Sequence, residues 1–217
     1  MSDLRQVLRG LEVFADDLPE FDTTRLPADP HELFTDWLLE AIRDGVREPH
    51  AMTVSTADAD GNPSARVLIC KNVSAAGWQF ATDKNSRKGR ELAARPAAAL
   101  TFYWSGVSRQ VRVRGTVVPA TAGDSAADFL ARSPGARAEA LPGRQSAPLS
   151  DPAARDEAVR VAAERIGRDP GLVAPGWTLY TLRADEVEFW QGDRERRHTR
   201  VDYRRTDTGW ERGLLWP

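Results

Sequence analysis

The stretch AMTVSTADADGNPSARVLICK at residues 51–71 decides the class of fold. Apolar and polar residues alternate on both sides of Asp60-Gly61-Asn62, and a period of two is typical of half-buried β-strands. An Asp-Gly-Asn sequence between two such runs predicts a tight turn. We therefore expect an antiparallel hairpin here, with Gly61 in the turn.

Similar strand signals continue to the end of the sequence. They are WQFATD (78–83), which follows the turn-like NVSAAG (72–77), AAALTFYW (97–104), SRQVRVRGTVV (108–118), WTLYTLR (177–183), EVEFWQ (186–191), TRVDYRR (199–205) and GWERGLLW (209–216). Helical spacing is confined to four segments, at residues 30–45, 86–95, 121–132 and 151–166. This pattern predicts a mainly β fold with peripheral helices, an antiparallel barrel or sandwich without βαβ alternation.

The predicted domain begins at Asp29. Residues 1–28 are acidic and proline-rich without a sustained period, so we expect an extended arm whose start is disordered. Asp29 as N-cap, Pro30 at the first helical position and Glu32 predict a helix that ends at Gly45. Residues 29–217 are expected to form a single domain, in which 133–150 is a long loop.

Composition excludes several classes of function. Thirty basic and 32 acidic residues balance, so no general basic field for nucleic acid is expected. The absence of a long apolar run and of a charged leader argues against a membrane span or secretion, and we expect a cytoplasmic protein. Cys70 is the single cysteine and is expected to be a core thiol. Paired ligands at metal spacing, a phosphate-binding glycine loop and a nucleophile elbow are all absent from the sequence, so no metal site is predicted.

Three segments are candidates for an anion or ligand site. SRKGRE at 86–91 places Arg87 and Lys88 at a helix start, where free N–H groups and the helix dipole favour phosphate. In SRQVRVRG at 108–115, alternation puts Gln110, Arg112 and Arg114 on one strand face. Each segment alone also fits a solvated surface.

The third segment is EFWQGDRERRHTRVDY at residues 188–203. Its basic residues are Arg194, Arg196, Arg197, His198 and Arg200. Such a cluster is either fully solvated or meets an anion, because like charges repel each other.

The motifs together resemble the pyridoxamine 5′-phosphate oxidase family of FMN enzymes. The matching segments are RVLICK (66–71), FATDKNSRKGREL (80–92), FYWSGVSRQVRVRG (102–115), RQS (144–146), EFWQGDRERRH (188–198) and LLWP (214–217). The resemblance extends from about residue 29 to residue 217 in matching order. It implies a split β-barrel homodimer that binds FMN in clefts between its subunits, oxidises a substrate at the flavin and is reoxidised by O₂.

The resemblance also implies roles for individual residues. The FMN contacts fall on Arg66, Val67, Leu68, Ile69, Cys70, Lys71, Ala81, Thr82, Arg87, Lys88, Gln110, Gln145, Ser146, Trp190 and Arg200. The implied substrate residues are Lys71, Arg132, Arg196 and His198, and of these Arg196 and His198 are also the implied catalytic residues. Asp128 stands where the family usually has a tyrosine, and Ala136 where it has a phosphate-binding serine. A regular strand would place Arg66 and Lys71 on opposite faces, which requires a bulge or contacts from two sides.

Three functions follow as hypotheses. The first is oxidation of pyridoxamine or pyridoxine 5′-phosphate to pyridoxal 5′-phosphate, for which Lys71 and Arg132 would hold the phosphate. The second is oxidation of reduced tricyclic precursors in phenazine biosynthesis, suggested by the arm sequence LPEFD (18–22) and by the missing tyrosine. The third is a non-catalytic carrier of flavin or pyridoxal phosphate, against which the retained Arg196 and His198 argue.

Overall fold

The computed structural model describes residues 3–14 and 17–217, and most of its regular structure is β-strand. The helices are α1 Leu4–Arg9, α2 Pro30–Arg43, α3 Arg87–Ala94, α4 Ala122–Leu130, α5 Pro134–Ala140 and α6 Pro152–Arg168. The strands are β1 Ala51–Ala57, β2 Pro63–Ile69, β3 Asn72–Ser74, β4 Gly77–Asp83, β5 Ala97–Trp104, β6 Arg109–Pro119, β7 Trp177–Gln191, β8 Thr199–Thr206 and β9 Gly209–Leu214. The mainly β class with helices is confirmed.

These nine strands form one sheet, in the order β2-β1-β5-β6-β7-β4-β3, with β8 paired to β7 and β9 to β8. The predicted hairpin is present, because β1 and β2 are antiparallel and Ala57 lies opposite Pro63. Asp58 accepts hydrogen bonds from the backbone N–H groups of Asp60 and Asn62. Gly61 has φ +90°, a conformation that glycine adopts at little cost.

The chain divides into two compact units. The first unit contains the described residues up to Pro49 together with Thr101–Arg112 and Glu186–Pro217, and the second contains His50–Leu100 and Val113–Asp185. Strands β5, β6 and β7 each contribute residues to both units. A single domain at residues 29–217 stays a prediction.

The first unit has an aromatic core around α2. Asp29 caps this helix by accepting from the His31 backbone N–H, as predicted. Phe34 packs edge-on against Phe102 with ring centroids 4.7 Å apart, and Trp37 meets Phe189 at 5.3 Å. Burying each such ring contributes about 1.5–3 kcal/mol, so these contacts fix α2 on the strands.

The second unit buries a separate cluster where its last three helices meet. Phe129 of α4, Ala138 of α5 and Ile166 of α6 are all buried in this cluster. Arg137 is also buried and donates to the carbonyl oxygens of Pro170 and Leu172. This packing positions α4 beside the pocket described below.

Four local predictions were wrong. Residues 133–150 are not wholly loop, because Ser133 caps the short helix α5. The two predicted strands at 177–183 and 186–191 form the single strand β7. A helix, α1, lies in the arm that was expected to be extended, and β3 lies in a segment expected to be a turn.

Two further expectations concern the ends of the chain and the membrane. The expected disorder at the start of the arm falls partly on residues 1–2, which lie outside the described residues. Within residues 3–14 and 17–217, no helix is both long enough and apolar enough to span a bilayer. The cytoplasmic location stays a prediction.

Candidate active site

A cluster of cations surrounds the start of α3 in the second unit. Ser86 caps the helix by accepting from the Gly89 N–H at 3.2 Å. The buried Lys88 Nζ donates to Gln145 Oε1 at 3.1 Å and to Thr82 Oγ1 at 3.3 Å. Burial, and secondly the nearby Arg66 charge, lower the pKa of Lys88, so an anion here would be favourable.

A buried carboxylate, Glu91, organises the arginines of this cluster. It accepts from Arg87 Nε at 2.8 Å, from Arg66 Nη2 at 3.3 Å and from the hydroxyls of Thr56 and Ser64. Burial would raise the pKa of Glu91, but these hydrogen bonds outweigh it and lower the pKa to about 2. Glu91 is therefore ionised and holds both guanidinium groups in place.

The donor set fits a flavin phosphate. Arg66, Arg87 and Lys88 with the one carboxylate of Glu91 carry a formal charge of +2, which matches a phosphate dianion. Gly89 allows the helix start to pack closely, because a Cβ there would lie 2.3 Å from the Lys84 carbonyl oxygen. The structure thus brings together the predicted phosphate residues, with Glu91 as a member that the sequence analysis did not single out.

A pocket of about 610 Å³ lies in the same unit. Seven predicted residues line it: Val67, Leu68, Ile69, Lys71, Ala81, Arg132 and Gln145. Val67 and Ile69 are exposed apolar side chains on one face of β2, while Arg66 lies on the other face. An apolar lining with a few cations is typical of ligand sites.

Lys71 does not belong to the regular strand that precedes it. Strand β2 ends at Ile69, and the Cys70 N–H still donates to His50 of the segment before β1. The Lys71 N–H instead donates to Gln79 in β4. Because the pairing partner changes between these adjacent residues, the alternation of β2 does not extend to Lys71.

Asp128 lies among the predicted substrate residues. Its Oδ1 is 3.4 Å from Lys71 Nζ, and its Oδ2 accepts from Trp177 Nε1 at 2.8 Å. The guanidinium carbon of Arg132 lies 4.1 Å above the Trp177 ring. Burial lowers the pKa of Arg132, and the Asp128 charge partly opposes this. Ala136, the other departure from the family pattern, is half-buried in α5.

The remaining predicted residues of this unit have plainer surroundings. Cys70 Sγ is 3.6 Å from the Asn72 carbonyl oxygen, and burial raises the pKa of its thiol to about 11. Cys70 is only half-buried, so the prediction of a core thiol is not met in full. Ser146 is exposed and adopts φ +70°, beside Gln145 in the loop after α5.

The other predicted residues lie in the first unit. Trp190 and His198 contact each other with ring centroids 4.9 Å apart, and Phe14 of the arm packs on both rings. His198 Nδ1 accepts from the Asp193 backbone N–H at 3.1 Å, so a neutral His198 carries its proton on Nε2. Arg196 is exposed with φ +67° in the same loop.

Arg200 is held on β8 by a buried acid. Its Nε and Nη2 each donate to Glu188 at 3.0 Å, and its Nη1 donates to the Trp216 carbonyl oxygen. Arg112 also bonds to Glu188. Burial would raise the pKa of Glu188, but the two arginines lower it. Gln110 is half-buried on β6, next to the exposed Arg112, so the predicted strand alternation is confirmed.

The predicted site therefore falls into two groups. The phosphate-type cluster and the apolar pocket belong to the second unit, while Gln110, Trp190, Arg196, His198 and Arg200 belong to the first. Trp177 and Glu91 complete the second group, and sequence reasoning missed both. The pattern Arg-Lys-Gly-Arg-Glu in the first turns of α3 was the available signal for Glu91, because residues four apart face each other on a helix.

A cation-rich cluster beside an apolar pocket on a mainly β fold is typical of a protein that binds a phosphate-bearing ligand with a flat apolar part. The family model described as pyridoxamine 5′-phosphate oxidase matches residues 38–168, and the model described as the pyridoxine 5′-phosphate oxidase C-terminal dimerisation region matches residues 177–217. The chain belongs to the pyridoxamine 5′-phosphate oxidase family, whose members are flavin oxidases. The predicted family and enzyme class are confirmed.

Individual relatives and a solved structure also match most of the chain. A pyridoxine/pyridoxamine 5′-phosphate oxidase of Caulobacter vibrioides is 40% identical over 189 residues, which cover 87% of this chain and 85% of the relative. A pyridoxine/pyridoxamine 5′-phosphate oxidase 1 of Ralstonia nicotianae is 41% identical over 197 residues, covering 90% and 92%. Among solved structures, PhzG from Burkholderia lata in complex with tetrahydrophenazine-1-carboxylic acid has a TM-score of 0.85 at 30% identity, covering 95% of this chain and 100% of that one.

Proposed function

We propose that this protein is an FMN-dependent oxidase that acts as a homodimer and uses O₂ as electron acceptor. The observation that carries this proposal is the charge-matched cluster of Arg66, Arg87, Lys88 and Glu91 beside the 610 Å³ pocket. FMN, when bound, would supply a two-electron acceptor that O₂ regenerates with release of H₂O₂.

The chain's own residues have distinct roles in this proposal. Arg87, Lys88 and Arg66 hold the cofactor phosphate, and Thr82, Gln145, Ser146 and Gln110 offer polar groups to the cofactor. Val67 to Ile69 and Trp190 provide apolar and aromatic contact for its flat ring. Arg196 and His198 position the substrate ring. Because His198 Nδ1 already accepts a bond, its Nε2–H acts as a donor rather than as a base.

The first candidate substrate is pyridoxamine or pyridoxine 5′-phosphate. It is supported by relatives of about 40% identity that carry this activity in their names, and by Lys71 and Arg132 in the pocket lining. The substrate carbon would lose a hydride and the attached amine or hydroxyl a proton. An amine would yield an imine, which water hydrolyses to the aldehyde pyridoxal 5′-phosphate with release of ammonia, whereas a hydroxyl would yield the aldehyde directly.

The second candidate is a reduced tricyclic precursor in phenazine biosynthesis. Its support is the contact of Asp128 with Lys71, which places a negative charge where the first candidate needs a phosphate. The PhzG structure, which holds a phenazine-type ligand, agrees with this fold at 30% identity. The carrier hypothesis is weaker, because the relatives are named as oxidases.

The test of this proposal begins with cofactor binding. The purified protein is expected to bind one FMN per subunit, and Arg87→Ala with Lys88→Ala should weaken binding at least 100-fold, because each charge-assisted bond is worth about 1.5–3 kcal/mol. Arg90→Ala removes an exposed charge from the same helix and should leave the affinity nearly unchanged. Wild-type affinity in the double variant would contradict the phosphate assignment.

Anaerobic mixing then tests catalysis. Either candidate substrate, if accepted, should bleach the flavin absorbance, and admitting O₂ should restore it with release of H₂O₂. A carrier would bind FMN without bleaching. If neither substrate bleaches the bound flavin, the oxidase proposal is wrong for these substrates, while the cofactor assignment remains intact.

A further inference from the structure

Asp128 forms an ion pair with one cation of the pocket, Lys71, and its charge also acts on a second, Arg132. Its side chain is 14% exposed, and its Oδ1 lies 3.4 Å from Lys71 Nζ. The nearby Arg132 is held over the Trp177 ring, and the Trp177 indole N–H donates to Asp128 Oδ2. The carboxylate is thus fixed in orientation by the indole and faces the charged groups that would otherwise receive an anion.

The local charge balance bears on which substrate this pocket accepts. Lys71 and Arg132 together with Asp128 carry a formal charge of +1, and the other charged residues of the lining, Arg144 and Arg155 with Asp83 and Glu139, cancel each other. A phosphate monoester carries about −1.5 to −2 near neutral pH, so it would exceed this charge and approach a fixed carboxylate. A hydroxyl side chain in place of Asp128 would leave two free cations and add a donor.

The surroundings of Arg132 indicate an unfilled polar requirement. Its Nη1 is buried and makes no hydrogen bond to any residue in 3–14 or 17–217. The rest of the pocket lining around it is largely apolar and includes Val67, Ile69 and Val159. A ligand with an apolar ring and one acceptor would satisfy Arg132 without having to displace Asp128.

We propose that Asp128 is a specificity-determining residue that acts as an internal counter-ion for Lys71 and Arg132. The pocket accordingly prefers a ring substrate with a neutral or singly charged group at this end over a phosphate monoester. This inference rests on the proposed oxidase function and decides between its two candidate substrates in favour of the one without phosphate.

The test compares two ligands that differ only in the phosphate. 4-Deoxypyridoxine and its 5′-phosphate cannot reduce a flavin, so their Kd values are measurable by perturbation of the flavin absorbance of the FMN-loaded dimer. In the wild type the phosphate should improve the Kd little. Asp128→Asn keeps an acceptor for the Trp177 indole and removes the charge. In this variant the ratio of the two Kd values should favour the phosphate form by on the order of tenfold more than it does in the wild type.

Matched variants separate charge from structure. Glu139→Gln removes a carboxylate that lines the pocket, is half exposed and is paired with Arg155, and it should change the ratio of the two Kd values little. Lys71→Gln should weaken phosphate binding much more in the Asp128→Asn background than in the wild type, because only there is Lys71 free. If Asp128→Asn does not fold, Asp128→Tyr tests the same ratio.

The outcomes distinguish the two proposals. A wild type that already binds the phosphate form far more tightly, or equal ratios in the wild type and Asp128→Asn, would overturn the role of Asp128 while the oxidase function stands. If Glu139→Gln and Asp128→Asn change the ratio of the two Kd values equally, the change comes from the general electrostatic field of the pocket. That result would also overturn the specific role of Asp128. A protein that binds FMN but is bleached by no substrate would instead contradict the proposed function.

Discussion

At the scale of single residues, the cation cluster at the start of α3 depends on a carboxylate, Glu91. Arg66 and Arg87 would repel each other if Glu91 did not lie between them. Two hydroxyls from Thr56 and Ser64 complete its shell of donors. The sequence identified both cations, whereas its signal for Glu91 was only the spacing of four residues from Arg87, and the burial of Glu91 is seen only in the structure.

The low pKa of Glu91 makes a prediction about acid stability. The folded pKa of about 2 lies below the ordinary value of 4.5, so the ionised group stabilises the fold above about pH 4.5, and this stabilisation is lost as the pH falls towards 2. Glu91→Gln should lower the Tm at pH 7, and the difference from the wild type should shrink as the pH falls. Thermal melts from pH 7 to pH 3 measure this. Glu164→Gln, which alters an exposed pair, should give nearly the wild-type curve, and a Glu91→Gln difference that is independent of pH would contradict the assignment.

The hydrogen bond to His198 Nδ1 leads to a second prediction. The His198 ring presents its Nε2–H, and His198→Gln keeps a donor at a similar distance, whereas His198→Leu does not. The rate of flavin reduction by the substrate should therefore fall less in His198→Gln than in His198→Leu. One neutral hydrogen bond is worth about 0.5–1.5 kcal/mol, so we expect a roughly three- to tenfold difference between the two variants. Anaerobic stopped-flow measures both rates. Equal rates for Gln and Leu would show that the donor has no role.

At the scale of elements, one glycine determines how closely two strands approach. A Cβ at Gly115 of β6 would lie 2.0 Å from the Arg183 carbonyl oxygen of β7. Gly115→Ala should therefore destabilise the protein by about 1–3 kcal/mol, as overpacking usually does. Gly135→Ala in α5 meets no atom within 4 Å and should stabilise slightly. Denaturant unfolding of both variants measures this, and a neutral Gly115→Ala would show that the strands can separate at no cost.

Local patterns predicted the elements whose signals lie within their own sequence. The β1–β2 hairpin and α2 were expected with the observed turn and N-cap, because Gly61 and Asp29 act locally. Helix α5 was missed, since its stability depends on the burial of Arg137 and Ala138 against distant residues. The continuity of β7 was also missed, because its pairing with β4 and β8 carries it through the polar residues between its two apolar parts.

At the scale of the whole molecule, the family resemblance supplied the residues of the site and the structure supplied their surroundings. Strand alternation could not reconcile Arg66 with Lys71, because the change of pairing partner after β2 is a tertiary feature. The contact between Asp128 and Lys71 joins residues that are far apart in the sequence, so the sequence showed only that Asp128 replaces the family's usual tyrosine. The individual site roles stay predictions.

The C-terminal region carries the last prediction, on assembly. Leu214 and Trp216 are 68% and 91% exposed, and they lie in the part of the chain that matches the family's dimerisation region. Large exposed apolar side chains in such a region favour burial against a second copy. We expect light scattering to give the mass of two chains, and Trp216→Asp to shift the protein towards monomer.

Cofactor binding should change together with assembly, because the family resemblance places each FMN in a cleft between subunits. FMN at 100 times its Kd should stabilise the wild type by about 2.7 kcal/mol, seen as a higher Tm. Trp216→Asp should lose this increase in Tm as it loses the dimer, whereas Trp210→Phe, which keeps an aromatic ring on β9, should retain both. A monomer that binds FMN with wild-type affinity would contradict the shared site, since one subunit would then supply every contact that the cofactor needs.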